Sequence, residues 1–239
     1  MKNYFLLIIL VFVLSFDCEA RKKRGLGATK KGFRFGGYGS YGLTWLLNKN
    51  ISDDPSIKPL ISTGNEYCFE LIYNFTDKIG GTLSGSKVNH NQIYEEIGVG
   101  NFKKSLQYIG INGLLKYYVI PEFYFDSGFR YNILSKASNI DYRGRNNAST
   151  STDVTQNFSK TITCFLFGMG YEKEEIAKGL NLNIGLRYLY GLGNAINTSG
   201  AATEFPFGRY LNLSDLIPVS VGMYLGLNYK ISRAKRYSH

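Results

Sequence analysis

Hydrophobic and polar residues alternate through the stretch Leu106–Lys136. In Ile109–Val119, and again in Phe123–Ile133, the odd-numbered positions are mostly apolar or aromatic, while the even-numbered positions hold most of the small and charged residues. Because successive side chains of a β-strand point to opposite faces, this pattern predicts two strands, each with one apolar and one polar face. The proline of Val119–Pro121 cannot donate to a sheet, so we predict an antiparallel hairpin with a tight turn there.

The same alternation recurs in six further segments of the chain. No convincing amphipathic helix follows the first twenty residues, and no internal repeat accompanies the segments. Together with the hairpin they predict eight strands, an even number that is compatible with closure into a barrel. The six segments are Phe33–Trp45, Glu66–Phe75, Ile79–Val88, Cys164–Glu172, Leu180–Gly191 and Val219–Lys230.

The connections between the predicted strands alternate between long polar segments and short turns. This alternation is typical of outer-membrane barrels, which have short turns on the periplasmic side and long loops outside the cell. We therefore predict an all-β fold: an eight-stranded antiparallel up-and-down transmembrane β-barrel with short periplasmic turns, long extracellular loops and both termini periplasmic. The long segments are Asn48–Gly64, Asn89–Lys104, Ser135–Ser159 and Gly193–Pro218, and the short ones are Thr76–Lys78, Val119–Pro121 and Lys173–Gly179.

The polar face of the strands distinguishes a membrane barrel from a soluble one. A soluble lipocalin-like ligand carrier would place the apolar face inside, around a ligand. Here the polar face is rich in glycine and carries charges of both signs, which fits a narrow lumen where charges must pair. Tyrosine and tryptophan lie near the strand ends, as at a membrane interface. The expected structural ion network of the lumen comprises Arg34, Glu66, Glu70, Lys116, Glu122, Asp126, Arg130, Glu172, Arg187 and Lys230.

Within the central hairpin, the predicted turn also implies a register. Lys116 and Glu122 lie on the same face across the turn, and we expect them to form a cross-strand ion pair. The same register sets Asn112 opposite Asp126 and Tyr108 opposite Arg130.

The two strands of this hairpin resemble those of a known family. The segments Tyr108–Tyr118 (YIGINGLLKYY) and Phe123–Leu134 (FYFDSGFRYNIL) are similar to the central hairpin of PorT-like outer-membrane β-barrel proteins. The resemblance implies an outer-membrane β-barrel domain in a Gram-negative cell envelope. Some members of that family take part in assembling the type IX protein-secretion system, so it also implies an accessory role of this kind as one alternative.

The chain ends differ in composition from the strand region. Met1–Ala20 combines Lys2 with the apolar run Tyr4–Val13 and small residues before a cleavage point, which predicts a signal peptide. The alternative is a signal anchor, because the RKKR sequence of Arg21–Arg24 follows the apolar run. We expect a signal peptide over 1–20, a basic segment over 21–31, the outer-membrane barrel over 32–231 and a basic tail over 232–239.

The net charge of +10 raises the question of nucleic-acid binding. An exported chain does not normally meet nucleic acid, and most of the basic residues are dispersed, so we expect no nucleic-acid partner. The basic clusters at Arg21–Arg24 and Arg233–Arg236 would lie against anionic lipid head groups or in solvent. The expected partners are outer-membrane lipid and, through the loops, envelope or secretion-system proteins.

Two cysteines, Cys68 and Cys164, lie on the polar faces of the second and sixth predicted strands. These strands are opposite each other in an eight-stranded barrel, so their Cα atoms should be about 15 Å apart. A disulfide requires at most about 7 Å. We predict two free, buried thiols.

Residues that would support catalysis or cofactor binding are sparse. The two histidines are His90, in a predicted loop, and His239 at the chain end, and no motif surrounds either. His90 with a loop Asp or Ser would make a catalytic dyad, but a solvated loop histidine is the simpler expectation. Metal-ligand spacings, nucleotide-binding loops and the Gly-x-Ser-x-Gly motif are missing. We expect no cofactor, no metal and no catalytic residue.

The function expected from the sequence is therefore that of a non-enzymatic barrel with a structural or surface-binding role and a side-chain-filled lumen. A barrel of eight strands leaves no general diffusion pore. The exposed loops would carry any binding residues, among them the polar segment Asn139–Asn157 and the aromatic Phe205–Phe207, which could contact lipid, contact a partner or cap the lumen. The alternatives are a type IX secretion accessory, an outer-membrane barrel enzyme and a soluble lipocalin-like carrier.

Overall fold

Ten β-strands account for most of the chain in the computed structural model, which describes residues 30–142, 150–197, 205–210 and 213–231. The predicted signal peptide, most of the basic segment 21–31, the tail 232–239 and His239 lie outside the described residues. The strands are β1 (Gly32–Leu47), β2 (Ile57–Leu60), β3 (Ser62–Asn74), β4 (Ile79–Glu96), β5 (Gly100–Tyr118), β6 (Phe123–Asp141), β7 (Thr150–Asp153), β8 (Thr161–Ala177), β9 (Leu180–Gly191) and β10 (Ile217–Lys230).

Eight of these strands form a closed antiparallel ring in the order β1-β3-β4-β5-β6-β8-β9-β10. Each long strand pairs with the next along the chain, and β10 pairs with β1 from Arg34↔Lys230 to Leu47↔Ile217. The first and last strands therefore close the sheet on itself. The predicted fold class, an eight-stranded up-and-down β-barrel, is confirmed.

The remaining elements lie in the connections at one end of the barrel. The five-residue helix α1 (Lys49–Asp53) begins after Asn48, whose side chain accepts from the Ile51 amide, and β2 pairs with the far end of β4. The short β7 extends beside β6, and 3-10 turns cover Thr155–Asn157 and Phe207–Arg209. Within the described part of the chain, no helix has the length and apolar character needed to cross a membrane.

The predicted long loop Asn89–Lys104 is wrong. Strands β4 and β5 continue through it and meet at a tight turn, where Gly98 and Gly100 have φ of 77° and 135°. Positive φ costs glycine little, because glycine has no Cβ. The strand was missed because the apolar alternation is lost here: the outward positions are mostly polar, and the inward ones mix Tyr94 and Phe102 with polar residues such as Gln92 and Lys104.

The predicted register of the central hairpin is also wrong. Tyr118 pairs with Tyr124, so Lys116 lies opposite Asp126, and Glu122 lies in the turn. The predicted pairing centres the turn on Val119, whereas the observed turn is centred on Pro121. The Val119 amide donates to the Phe123 carbonyl and closes this turn. The same shift sets Asn112 opposite Arg130 and Tyr108 opposite Leu134.

The connection predicted over Lys173–Gly179 is shorter than expected. Strand β8 runs to Ala177, and a register irregularity after Lys173 includes Glu175, whose φ is 53°. Gly179, at φ 75°, completes the turn into β9. We call the end of the barrel with these short turns the turn end and the opposite end the cap end.

The lumen has two chemically different halves. The polar half, toward the turn end, contains the charged residues of the predicted network. The other half is an apolar core in which barrel residues such as Leu106 and Leu166 pack with residues from the connections. We call the connections that close this core the cap. It comprises α1, Val154–Phe158, Ala195–Ile196, Phe205–Tyr210 and Leu213–Leu216.

Candidate functional site

Arg34 and Glu172 form a buried ion pair at the turn end of the lumen. Arg34 Nη1 donates to Glu172 Oε1 at 2.5 Å, and the two side chains are 1% and 0% exposed. Tyr118 Oη donates to the other oxygen, Glu172 Oε2, at 3.0 Å. Half-buried Glu174 adds a 3.3 Å contact to Arg34. Charge-assisted hydrogen bonds of this kind satisfy a carboxylate that would otherwise be costly to bury.

Arg187 joins three sides of the barrel in the middle of the polar half. From β9, its Nη2 donates to Asp126 Oδ2 on β6 at 2.6 Å, and its Nη1 donates to Tyr38 Oη on β1 at 2.6 Å. Tyr38 Oη in turn donates to Glu66 Oε1 on β3 at 2.8 Å. The guanidinium thus links strands that are not neighbours in the sheet.

Arg130 continues this network toward β4 and β5. Its Nη2 donates to Glu66 Oε1 at 2.5 Å, and its Nε donates to Asn112 Oδ1 at 2.6 Å. The Asn112 amide then donates to Ser84 Oγ at 2.8 Å. Glu66 therefore accepts from both Arg130 and Tyr38, and one connected network crosses the lumen.

Lys116 and the tyrosines complete the polar half. Lys116 Nζ lies 4.0 Å from the centroid of the Tyr124 ring, a cation–π contact. The hydroxyls of Tyr124 and Tyr224 lie 2.7 Å apart across the barrel. Arg34, Lys116, Arg130 and Arg187 face the four carboxylates Glu66, Glu70, Asp126 and Glu172, so opposite charges lie close together in this half.

Six of the ten residues predicted for the ion network meet as pairs: Arg34 with Glu172, Arg130 with Glu66, and Arg187 with Asp126. Lys116 and Glu70 are buried in the same half. Glu122 lies in a turn and Lys230 at the end of β10, and both are only half-buried. The sequence reasoning overlooked four tyrosines that help to fill the lumen, although their position on the polar face was a signal: Tyr38, Tyr118, Tyr124 and Tyr224.

A cavity of about 40 Å³ lies beside the network, lined among others by Tyr38, His90 and Arg130. One water needs about 10–15 Å³ of such space, so the cavity has room for a few waters. Two buried polar atoms of lining residues that have no protein partner, Asn89 Oδ1 and Arg187 Nε, are suited to bind such waters.

His90 does not lie in a solvated loop, contrary to the expectation. It is on β4, points inward and is only 3% exposed. Its Nε2 lies 2.8 Å from the carbonyl oxygen of Trp45. Because a carbonyl only accepts, Nε2 carries the proton and donates.

The sequence also predicts two free, buried thiols in the lumen. This prediction is confirmed for Cys68 and Cys164.

The cap closes the apolar half. The Phe207 side chain is fully buried in its core, and the Phe102 and Phe205 rings lie 4.8 Å apart. Arg209 forms an ion pair with Glu96 at the tip of β4. Of the three roles considered for Phe205–Phe207, capping the lumen is the one observed for Phe207.

A second contact attaches the cap beside α1. Tyr210 Oη donates to Asp54 Oδ2 at 2.9 Å. The pKa of Asp54 is lowered from its ordinary value, chiefly because the Ser56 hydroxyl and amide both donate to Oδ1. The carboxylate is therefore ionised at neutral pH, the form that accepts from Tyr210.

The outer surface of the barrel is apolar around its whole circumference. Every long strand contributes outward-facing apolar side chains, several more than half exposed. Soluble monomers rarely expose contiguous apolar patches of more than a few hundred Å². We call this surface the apolar belt. Its residues include Phe33, Tyr41, Tyr67, Phe69, Leu83, Ile111, Leu115, Phe129, Phe167, Leu186, Met223, Leu225 and Tyr229.

The belt has the height and margins of a surface in contact with a bilayer. From Tyr229 to Val219 it follows β10 for about 34 Å, which corresponds to roughly 25 Å at a typical strand tilt. Aromatic pairs mark the turn end, with the ring centroids of Phe33 and Tyr73 4.5 Å apart. At the cap end, Trp45 and Tyr67 occupy outward positions. Aromatic residues at both margins are typical of membrane interfaces.

Among residues 30–142, 150–197, 205–210 and 213–231, no three His, Cys, Asp or Glu side chains are grouped closely enough to hold a metal ion. Most of the charged groups of the lumen contact one another as ion pairs. The arrangement is suited to stabilising a filled barrel and to presenting an apolar exterior and a capped end.

Comparisons with known proteins give likeness in fold. No protein-family model matches the chain. No curated protein matches it either. Among solved structures, OprG from Pseudomonas aeruginosa is similar at 16% identity and a TM-score of 0.44, with 85% of this chain and 98% of that chain covered. Neisserial surface protein A is similar at 12% identity and a TM-score of 0.43, with 84% and 98% covered.

The attachment invasion locus protein of Yersinia pestis is similar at 15% identity and a TM-score of 0.39, with 84% of this chain and 99% of that chain covered. At these values the likeness adds nothing to the fold established by the strand pairing. The resemblance of Tyr108–Leu134 to PorT-like barrels stays a prediction.

Proposed function

We propose that this chain is a non-enzymatic outer-membrane β-barrel protein of a Gram-negative cell, with a structural or surface-binding role. The observation that carries the proposal is the inverted arrangement of its faces. The ion pairs of Arg34, Arg130 and Arg187 are buried inside, while the side chains of the apolar belt are exposed outside. In water this exterior would expose a large apolar surface unfavourably, whereas a transmembrane barrel requires such a surface in the bilayer.

The filled lumen limits what the barrel does. The polar network crosses one half, and the cap closes the other with Phe207. Such a barrel serves as an anchored platform rather than as a diffusion pore. The cap and the far ends of β4, β5 and β6 extend beyond the belt and form the surface available to partners.

The short turns suggest the orientation. Outer-membrane barrels have short periplasmic turns and longer extracellular connections. By this rule the turn end, where β1 begins and β10 ends, is periplasmic, and the cap is extracellular. The predicted signal peptide and basic termini fit that orientation.

The test is insertion of the protein into the outer membrane, measured as heat-dependent gel mobility of the membrane fraction. We expect the unboiled wild-type barrel to migrate faster than the boiled chain and to fractionate with outer membranes. In Leu115→Arg, a charge within the belt should cost up to about 2–4 kcal/mol and reduce the fast-migrating form.

Ser105→Arg is the matched control, because Ser105 faces outward on the same strand but beyond the belt. Insertion of this variant should equal that of the wild type. A soluble wild-type protein, or equal effects of the two arginines, would exclude the proposed membrane orientation of the faces.

A secretion-accessory role rests on the resemblance of the central hairpin to PorT-like proteins. Deletion of the gene followed by analysis of secreted cargo tests it, since loss of cargo is expected only for an accessory component.

A catalytic role for His90 would require this side chain to reach a substrate. Its imidazole is buried and donates to a backbone carbonyl, which does not favour such a role.

A further inference from the structure

The outward-facing side chains at the cap margin of the apolar belt differ around the barrel. On β9, β10 and β1 the outward positions there are Tyr190, Val219 and Trp45, which pair with one another across the strands. On β4, β5 and β6 the corresponding positions are Lys87, Gln107 and Lys136. One side of the margin is therefore aromatic and apolar, and the other is cationic and polar.

Lys87 faces outward at the margin itself. It lies between Tyr67 on β3 and Ile109 on β5, both of which are more than half exposed. Its own side chain is exposed, and it takes part in none of the ion pairs of the described residues. An ammonium group next to apolar side chains is positioned to reach the head-group layer of a membrane.

A β-bulge turns Lys136 to the same surface. Up to Leu134, the even-numbered residues of β6 point inward, but the register shifts between Gln107 and Tyr108 because β6 contains the extra residue Ser135. As a result Lys136 is exposed opposite Gln107, and Ala137 is buried. Bulges commonly re-aim a side chain in this way. Without it, the cation would point into the apolar half of the lumen.

Like Lys87, Lys136 takes part in none of the ion pairs among the described residues. The carboxylate with which it interacts, Asp153, accepts hydrogen bonds from the Thr155 hydroxyl and amide at 2.7 and 2.9 Å. Exposed Thr161 and Thr163 on the adjacent β8 add hydroxyl donors at the same margin. The Cα atoms of Lys87 and Lys136, two strands apart, are separated by on the order of 10–12 Å from strand spacing and register.

We propose that this margin, formed by Lys87, Gln107 and Lys136, binds the phosphate group of an anionic lipid in the leaflet at the cap end. The inference rests on the proposed function, since it requires the apolar belt to lie in a bilayer. The two ammonium groups attract the phosphate, and the acyl chains lie against the exposed Ile109 and Ile111. The asymmetry of the margin favours a bound lipid over general contact with head groups, which would surround the barrel evenly.

The experiment compares lipid binding by native mass spectrometry of the full-length protein in detergent micelles. The probes are dioleoyl phosphatidic acid, dioleoylglycerol with the same acyl chains but no phosphate, and inorganic phosphate as competitor. The test variant is Lys87→Gln/Lys136→Gln. The matched control is Lys78→Gln/Lys178→Gln, which removes two exposed lysines from turns at the opposite end.

We expect the wild type and the control to prefer phosphatidic acid to dioleoylglycerol, and the test variant to bind phosphatidic acid about thirtyfold more weakly, from about 1 kcal/mol per lysine. Equal binding by the test and control variants would overturn the proposal, as would equal affinity for the two lipids. Full displacement of the lipid by inorganic phosphate would instead assign the site to free phosphate, which also contradicts it.

Failure of the proposed function would look different. A wild-type protein that is found in the soluble fraction removes the premise of membrane insertion. A wild-type barrel that inserts and shows heat-dependent mobility, but does not distinguish the lipids, overturns only the lipid site.

Discussion

Arg187 and Asp126 join opposite parts of the barrel wall through a 2.6 Å hydrogen bond between Nη2 and Oδ2. Both side chains are at most 9% exposed. Each buried charge is therefore balanced by its partner and would be unpaired in the lumen without it. Removing one partner of a buried pair costs more than replacing both, because the remaining charge stays buried.

This pair gives the first prediction. Arg187→Met should lower the free energy of unfolding by about 3–5 kcal/mol, because Asp126 loses its partner and Tyr38 loses a donor. Denaturant unfolding in detergent, followed by the fluorescence of the single tryptophan Trp45, measures the change. The double variant Arg187→Met/Asp126→Leu should recover part of the loss. A single variant as stable as the wild type would show that the pair contributes little.

A second prediction concerns the tyrosines that fill the polar half. A Cβ at Gly170 would lie 2.5 Å from Tyr224 Oη and 2.7 Å from Tyr124 Oη. Gly170→Ala should therefore separate these hydroxyls and reduce stability by about 1–3 kcal/mol.

Gly113→Ala is the control, because a Cβ there meets no atom within 4 Å on the outer face. Its stability should equal or slightly exceed that of the wild type, since alanine restricts the unfolded chain. The same unfolding assay compares the two variants, and equal losses in both would contradict the packing described for the lumen.

A third prediction concerns the thiols. Cys68 and Cys164 are free and at most 8% exposed. In the folded barrel, neither should react with a maleimide during brief exposure, and both should react after thermal unfolding in detergent. Peptide mass mapping identifies the modified residues. Rapid labelling of the folded protein would contradict the burial of the thiols, and a disulfide between the two cysteines would be incompatible with the strand order.

The faces of the strands follow from the sequence, but the register of the central hairpin does not. Alternation correctly predicts that Asn112 and Lys116 point inward. However, the actual register differs from the predicted one by four residues, and a shift by an even number leaves every side chain on the same face. The hydrophobic pattern therefore carries no information about such a shift, which depends on the geometry of the turn around Pro121.

The cap-end extension of β4 and β5 could not be predicted for a different reason. The expected strand pattern has an apolar exterior, but beyond the belt Tyr94 and Phe102 point inward against the cap. Recognising a strand without an apolar exterior requires knowing that the connections fold back over the barrel. The cap in turn depends on contacts between residues far apart in sequence, such as Arg209 with Glu96.

The most direct test of the central claim uses Trp45, the single tryptophan, at an outward position near the cap margin of the belt. The protein is reconstituted into vesicles of lipids with or without bromine atoms on the acyl chains, and the fluorescence of Trp45 is compared. If the apolar belt contacts lipid, brominated chains quench the fluorescence strongly, while aqueous iodide has little effect. Strong quenching by iodide with none from the brominated lipids would show that the exterior faces water, and the assignment of the faces would be wrong.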